Sequence, residues 1–161
     1  REGRSLGLLS EAGAPAVADP GALLVAQAHA EGFRVVPVVG PSSIVLALMA
    51  SGLDGQRFRF AGYLPVHAGE RQAALRDLEA RSARARETQV FIETPYRNDA
   101  LLADLLATLR PDTRLAIAAD LTGPSESIRM APVAPWQRHP MPPGRRPAIF
   151  LVLATPSKGR A

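Results

Sequence analysis

Short apolar runs alternate with segments of helical periodicity in the first third of the chain. Residues 6–9 and 34–39 are apolar runs of strand length, and the second is rich in β-branched valine. Each run precedes a connection of small residues and then a helical pattern, with Asp19 predicted as the N-cap of the first helix and residues 44–50 as the second helix. This order of strand, turn and helix predicts a parallel sheet with right-handed crossovers.

The pattern changes near residues 52–58, where we place a domain boundary. Alternating residues 57–63 predict an edge strand, and residues 70–81 predict an amphipathic helix. Further strands are predicted at residues 89–92, 114–119, 127–130 and 147–154, with a leucine-striped helix over residues 101–109. The predicted domains are therefore residues 1–56 and 57–157, followed by a tail of residues 158–161.

Composition narrows the class of protein. Of the 161 residues, 47% are hydrophobic and 21% charged, which is typical of a folded globular chain. Cysteine is absent and the three histidines are scattered, so we expect neither disulfides nor a metal site. The apolar runs are too short to span a bilayer and no signal-peptide pattern occurs, which predicts a cytoplasmic protein without membrane contact. A net charge of +4 favours an anionic partner such as RNA.

Polar or small-residue connections follow four of the predicted strands. They comprise residues 10–15, 40–43, 93–97 and 120–122. In open α/β sheets, ligands bind beyond the carboxyl ends of the strands, so these connections predict a ligand site. No glycine-rich phosphate loop and no nucleophile motif is present, which disfavours phosphate chemistry and hydrolysis.

The same connections carry a resemblance to a known family. The motifs are SEAGAP at residues 10–15, ADPG at 18–21, VVGPSS at 38–43, FIETPYR at 91–97 and DLT at 120–122. In this order they resemble the tetrapyrrole methylase superfamily, whose members are S-adenosyl-L-methionine-dependent methyltransferases with two α/β domains and the cofactor between them. The resemblance implies an α/β fold in which the remnant of a parallel-sheet N-terminal domain precedes a mixed-sheet α/β C-terminal domain. It also implies that the first strand of the family would lie upstream of Arg1.

The resemblance further implies a site and a partner. The cofactor contacts of the family fall on Ala12, Gly13, Ala14, Ser42, Ser43, Glu93, Thr94, Asp120, Leu121 and Thr122. Small residues suit such a cofactor because they let it approach the backbone closely. The branch that the motifs resemble most acts on ribosomal RNA, so the resemblance implies this acceptor, and a homodimer. If a ribose hydroxyl is methylated, Glu93 and Asp120 are the candidate bases, and the sequence does not select between them.

Simpler interpretations stay open for several of these residues. Ser42 and Ser43 could cap the helix that follows them, and Glu93 could be a buried ion-pair partner of Arg97. Three hypotheses therefore remain for the chain: a methyltransferase, a non-catalytic RNA-binding module, and a truncated fragment without a complete site. The arginine cluster at residues 81–86 is either a solvated face or an RNA-binding patch.

Overall fold

The computed structural model describes residues 3–10 and 13–156. The predicted cofactor residue Ala12 and the predicted tail, residues 158–161, lie outside the described residues. The chain divides into two compact units, Arg1–Ser43 and Ile44–Ala161. Each unit is described by itself below.

The first unit has helix α1 (Ala22–Ala30) and no strand within residues 3–10 and 13–43. The prediction of strands at residues 6–9 and 34–39 was therefore wrong for the described chain. The physical reason is that a strand needs a neighbour to pair its backbone N–H and C=O groups, and these described residues supply none. Val39 is accordingly fully exposed, and no described residue of this unit is buried.

The second unit is a mixed α/β structure around a five-stranded sheet, which confirms the predicted fold class. Its elements are α2 (Ser43–Ser51), β1 (Phe58–Tyr63), α3 (Ala68–Ala85), β2 (Thr88–Ile92), α4 (Asn98–Thr108), β3 (Arg114–Ala119), β4 (Ser127–Pro132), α5 (Val133–Arg138) and β5 (Ala148–Leu153). The strand order is β1-β2-β5-β3-β4, with β1 and β2 parallel and the other pairs antiparallel. Helix α5 was not predicted, because Pro135 inside a short segment is typical of a loop.

Two hydrophobic clusters cover the two faces of this sheet. On one face, Leu75 of α3, Leu105 of α4 and Trp136 of α5 pack with Phe150 of β5. On the other face, apolar residues of α2 pack against the sheet: Ile44, Ala47 and Leu48. Helix α2 therefore belongs mainly to the second unit. The chain divides between Ser43 and Ile44, which is earlier than the boundary predicted near residues 52–58. The exact domain limits stay a prediction.

The topology brings three strand ends to one edge of the sheet. Strands β1, β2 and β3 run in the same direction, because β5 is antiparallel to both β2 and β3 and β1 is parallel to β2. Their carboxyl ends therefore lie on the same side of the sheet. We call this row of strand ends, which is distinct from an outermost strand, the carboxyl edge. Strand β5 separates β2 from β3, so their ends lie two strand spacings apart, about 10 Å.

Candidate functional site

Glu93 follows β2 at the carboxyl edge, and its side chain is buried. Its Oε1 atom accepts hydrogen bonds from the Thr94 backbone N–H at 2.6 Å and from Nε and Nη2 of Arg97 at 2.9 and 2.6 Å. The predicted ion pair between Glu93 and Arg97 is thus present, and the carboxylate raises the pKa of the Arg97 guanidinium. Oε2 of Glu93 is buried and has no hydrogen-bond partner among residues 3–10 and 13–156. An unpaired buried carboxylate oxygen is costly, so this atom is suited to accept a donor from a ligand.

Asp120 follows β3 at the same edge and accepts hydrogen bonds from the loop between β3 and β4. The Ser125 backbone N–H and hydroxyl both donate to Oδ2 of Asp120, at 2.9 and 2.5 Å. These bonds lower the pKa of the Asp120 carboxyl. Asp120 and Thr122 have φ values of 52° and 64°, in the left-handed region that non-glycine residues rarely adopt. Leu121 lies between them and packs against the hydrophobic cluster that α2 forms with the sheet.

Two residues absent from the predicted site hold the loop that leads into β5. The amide nitrogen of the fully buried Asn98 donates to the carbonyls of Gly144 and Arg146, at 2.9 and 2.8 Å. The Arg146 guanidinium in turn donates to the Ser125 carbonyl at 2.7 Å. Sequence reasoning could not find these contacts, since the partners lie 46, 48 and 21 residues apart. They connect the start of α4, the loop between β3 and β4, and the segment that leads into β5.

The other predicted cofactor residues belong to the first unit of the chain. Gly13 has a φ of 82° and an exposed backbone, and Ala14 beside it is half-buried. The Ser10 hydroxyl donates to the Asp19 carboxylate at 2.5 Å and closes the loop that contains them. Asp19 was predicted as the N-cap of α1, but Gly21 occupies that position and makes no side-chain bond. The prediction failed because Asp19 has a longer-range partner that the local pattern does not show.

Ser42 and Ser43 stand at the start of α2. Ser42 precedes the helix and is half-buried, and Ser43 is its exposed first residue. Their polar side chains are thus close to the first backbone N–H groups of a helix, a location suited to capping and to polar ligands. The two interpretations of the sequence stay open here, and cofactor contact stays a prediction.

A basic surface runs along α3, away from the carboxyl edge. Two grooves of about 460 and 590 Å³ share Arg84 and Ala80 in their walls. Arg59 and Arg81 line the first groove, and Arg76, Arg86 and Arg110 line the second. We call these six arginines, Arg84 included, the arginine surface. Within residues 3–10 and 13–156, no hydrogen bond or ion pair engages the side chains of Arg76, Arg84 and Arg86.

Comparison with known proteins gives the family. A family model described as Tetrapyrrole (Corrin/Porphyrin) Methylases matches residues 1–134. The chain belongs to the tetrapyrrole methylase family. This confirms the family predicted from the motifs.

Curated relatives within the family have one name in common. Ribosomal RNA small subunit methyltransferase I of Neisseria meningitidis serogroup B is 42% identical over 127 residues, which are 79% of this chain and 42% of that protein. The protein of the same name from Pseudomonas aeruginosa is 39% identical over 132 residues, which are 82% of this chain and 45% of that protein. The chain thus matches less than half the length of these relatives. The crystal structure of the methyltransferase CobJ aligns with a TM-score of 0.56 and 19% identity, covering 88% of this chain and 62% of that one, which supports the fold alone.

The described residues fit the cofactor that the tetrapyrrole methylase family implies. S-Adenosyl-L-methionine carries an ammonium, ribose hydroxyls and an adenine amino group, all of which donate hydrogen bonds. The unpaired Oε2 of Glu93 is an acceptor of the matching kind.

Among the described residues, no cluster of three metal-ligating side chains occurs. No helix in this part of the chain has both the length and the apolar character needed to cross a membrane.

Proposed function

We propose that this chain acts in an S-adenosyl-L-methionine-dependent methyltransferase whose acceptor is small-subunit ribosomal RNA. Membership of the tetrapyrrole methylase family supports the cofactor, and the names of the relatives support the acceptor. The structural observation that carries the proposal is the buried Glu93 carboxylate with one unpaired oxygen at the carboxyl edge.

The proposal gives each predicted residue a task. The cofactor, when bound, supplies a methyl group activated by a sulfonium. Oε2 of Glu93 would accept a hydrogen bond from the cofactor, the Thr94 backbone N–H orients that carboxylate, and Leu121 would provide an apolar contact. The remaining contacts would come from the other predicted residues: Ala12, Gly13, Ala14, Ser42, Ser43, Asp120 and Thr122. Alignment of the acceptor with the methyl group then contributes most of the rate enhancement.

Glu93 and Asp120 are both candidate bases for a ribose hydroxyl. Both Ser125 donors engage Oδ2 of Asp120 and lower the pKa of its carboxyl, which weakens it as a base. Donors of Thr94 and Arg97 engage Oε1 of Glu93, and its other oxygen is assigned to the cofactor. A methylation assay at saturating S-adenosyl-L-methionine distinguishes the two, because the base is the residue whose amide variant, Glu93→Gln or Asp120→Asn, lowers kcat.

The arginine surface supports RNA as the partner. Arg76 and Arg84 flank Ala80 on α3, so a phosphate backbone could approach the helix closely between two unpaired guanidinium groups. Binding through such groups releases counterions and weakens steeply with salt. Replacing Arg76 and Arg84 together by alanine should lower both RNA affinity and its salt dependence, while the exposed Arg138→Ala control changes them less.

Calorimetric titration with S-adenosylhomocysteine tests the cofactor assignment. We expect saturable binding that Glu93→Gln weakens about tenfold or more, because a charged acceptor is lost. Glu87→Gln is the matched control, since Glu87 precedes β2 at the opposite edge and is also paired with an arginine, Arg81, at 2.6 Å. Equal losses in the two variants, or no binding by the folded chain, would contradict the assignment.

A second pair of variants tests the loop around Gly13. Gly13 and Gly32 both have positive φ, 82° and 74°, and open space where a side chain would lie. Asparagine adopts this conformation more readily than most residues, so the two substitutions add the same bulk and comparable backbone strain. Gly13→Asn should weaken binding of S-adenosylhomocysteine and Gly32→Asn should not. The opposite order would argue against cofactor approach at Gly13.

The non-catalytic alternative makes a different prediction. An RNA-binding module would bind RNA in a salt-dependent manner, with no response to S-adenosylhomocysteine. Transfer of a labelled methyl group to small-subunit RNA would exclude this alternative and the truncated fragment together.

The remaining features rest on the family resemblance. We propose a homodimer in the cytoplasm. Light scattering tests the first point, because a dimer has twice the chain mass of 17.1 kDa. Cell fractionation tests the second.

A further inference from the structure

Both tyrosines of the chain lie at the carboxyl edge. The sequence contains two tyrosines, and Tyr63 ends β1 while Tyr96 lies in the 3-10 turn Pro95–Arg97 after β2. Their exposed fractions are 62% and 70%. Tyr63 pairs with Ile92 across the two strands, directly before Glu93. Two wide aromatic faces are thus exposed next to the buried carboxylate of the candidate site.

Arg97 is fixed between the carboxylate and one of these rings. Its guanidinium carbon lies 5.3 Å from the ring centroid of Tyr96, in the range of a cation–π contact. Two hydrogen bonds to Oε1 of Glu93 hold the same group. The hydrogen bond to Glu93 is the main cause of the raised pKa of this guanidinium. The Arg97 guanidinium is therefore held between the Glu93 carboxylate and the Tyr96 ring before any ligand binds.

A strand irregularity determines where Tyr63 lies. The pairing of β1 with β2 shifts between Phe60 and Tyr63, and Gly62 within this stretch has a φ of 70°. Such a bulge redirects the residue that follows it. A side chain at position 62 would be strained in this backbone conformation, which favours glycine there.

We propose that Tyr63, Tyr96 and Arg97 form a stacking ledge for an unpaired base of single-stranded RNA. Aromatic rings and arginine planes stack on the face of any base, and RNA is read mainly where its bases are unstacked. Arg97, whose charge is paired with Glu93, adds a planar guanidinium beside the Tyr96 ring. The inference rests on the proposed function, and it places the base beside the candidate cofactor residues Glu93 and Thr94.

Fluorine NMR tests the ledge directly. Replacing the two tyrosines by 3-fluorotyrosine gives two signals, which the Tyr63→Phe variant assigns. Titration with a single-stranded oligouridylate of about twelve nucleotides should shift the Tyr96 signal, since ring stacking changes its surroundings. An abasic oligomer of equal length, which keeps the phosphates, should leave it unchanged. Equal shifts with both oligomers, or no shift with either, would overturn the ledge.

Affinity measurements with the same oligouridylate give a second test. Tyr96→Ala should weaken binding about tenfold, and Tyr96→Phe should retain it because the ring remains. Phe58→Ala is the matched control: Phe58 is 46% exposed at the other end of β1, about 17 Å from Tyr63. An equal loss in Tyr96→Phe, or in Phe58→Ala, would overturn the stacking role.

The failures of the two proposals are distinguishable. Base-dependent RNA binding without binding of S-adenosylhomocysteine would overturn the methyltransferase proposal and support the ledge. Binding of S-adenosylhomocysteine without a base-dependent shift of the tyrosine signals would overturn the ledge alone.

Discussion

At the scale of single residues, the loop after β3 is shaped by close contacts to one carboxylate. A Cβ atom at Gly123 would clash with the three carboxylate atoms of Asp120. Oδ2 of this carboxylate accepts two hydrogen bonds from Ser125, so it cannot move aside without losing them. Glycine at 123 is therefore required by a side-chain contact, and its own φ is not the reason.

Gly123→Ala should destabilise the protein because the Asp120 carboxylate must leave Ser125. We expect a fall in melting temperature of about 2–4 °C, measured by calorimetry. Gly55→Ala is the control, since a side chain there meets open space. Equal melting temperatures for the two variants would show that the carboxylate is free to move.

The lowered pKa of the Asp120 carboxyl predicts a pH dependence of stability. The ionised form, held by Ser125, stabilises the folded state above the unfolded pKa of about 3.9, and this contribution is lost as the pH falls through the lower folded value. Ser125→Ala should therefore flatten the acid part of a curve of melting temperature against pH. The pKa of Glu87 is also lowered, by Gln89 and Arg81, and is untouched in this variant, so the difference isolates Asp120. Identical curves would contradict the prediction.

At the scale of elements, a nearly buried ion pair joins α3 to α4. Nε of Arg71 donates to Oδ2 of Asp104 at 2.6 Å, and the two side chains are only 7% and 13% exposed. The same guanidinium donates to the Val66 carbonyl at 2.6 Å, and Gln72 donates to Oδ1 of Asp104 at 2.9 Å. The pair therefore fixes the relative position of two helices and of the turn that precedes α3.

Asp104→Ala should destabilise the chain by about 3 kcal/mol, because it leaves the Arg71 charge buried without its partner. Urea unfolding followed by circular dichroism measures the change. The double replacement Arg71→Met with Asp104→Leu removes both charges and should cost less. If the double variant is the less stable one, the desolvation argument fails.

At the scale of the whole molecule, burial is concentrated in the second unit. All six residues of β5 are buried, and this central strand is paired on both sides. The described residues of the first unit include none that is buried. Stability is therefore distributed unevenly along the chain.

Hydrogen exchange should reveal this distribution. We expect the amides of β5 to exchange slowest, through global unfolding, and those of residues 34–39 to exchange fastest. Mass spectrometry of peptides from the exchanged protein measures both. Equal protection in the two segments would contradict the uneven burial.

Much of the second unit was predictable because its signals are local. Helix α3 follows from its apolar spacing, β1 from its alternation at a sheet edge, and the contact of Glu93 with Arg97 from their spacing of four residues. The family followed from short motifs at the ends of strands. The order of the strands had no such signal, since the insertion of β5 between β2 and β3 joins segments that are distant in the sequence.

The sequence by itself thus determined the family, the fold class and most elements of the second unit, because periodicity and motif order are properties of neighbouring residues. Only the tertiary structure decided which polar groups meet. Asp19 accepts a hydrogen bond from Ser10 and does not cap α1, and Asp120 accepts hydrogen bonds from Ser125. One oxygen of Glu93 has no donor among the described residues. The physical reason is that pairing and burial depend on contacts between distant segments, and the same dependence left residues 6–9 and 34–39 without a strand partner in the described chain.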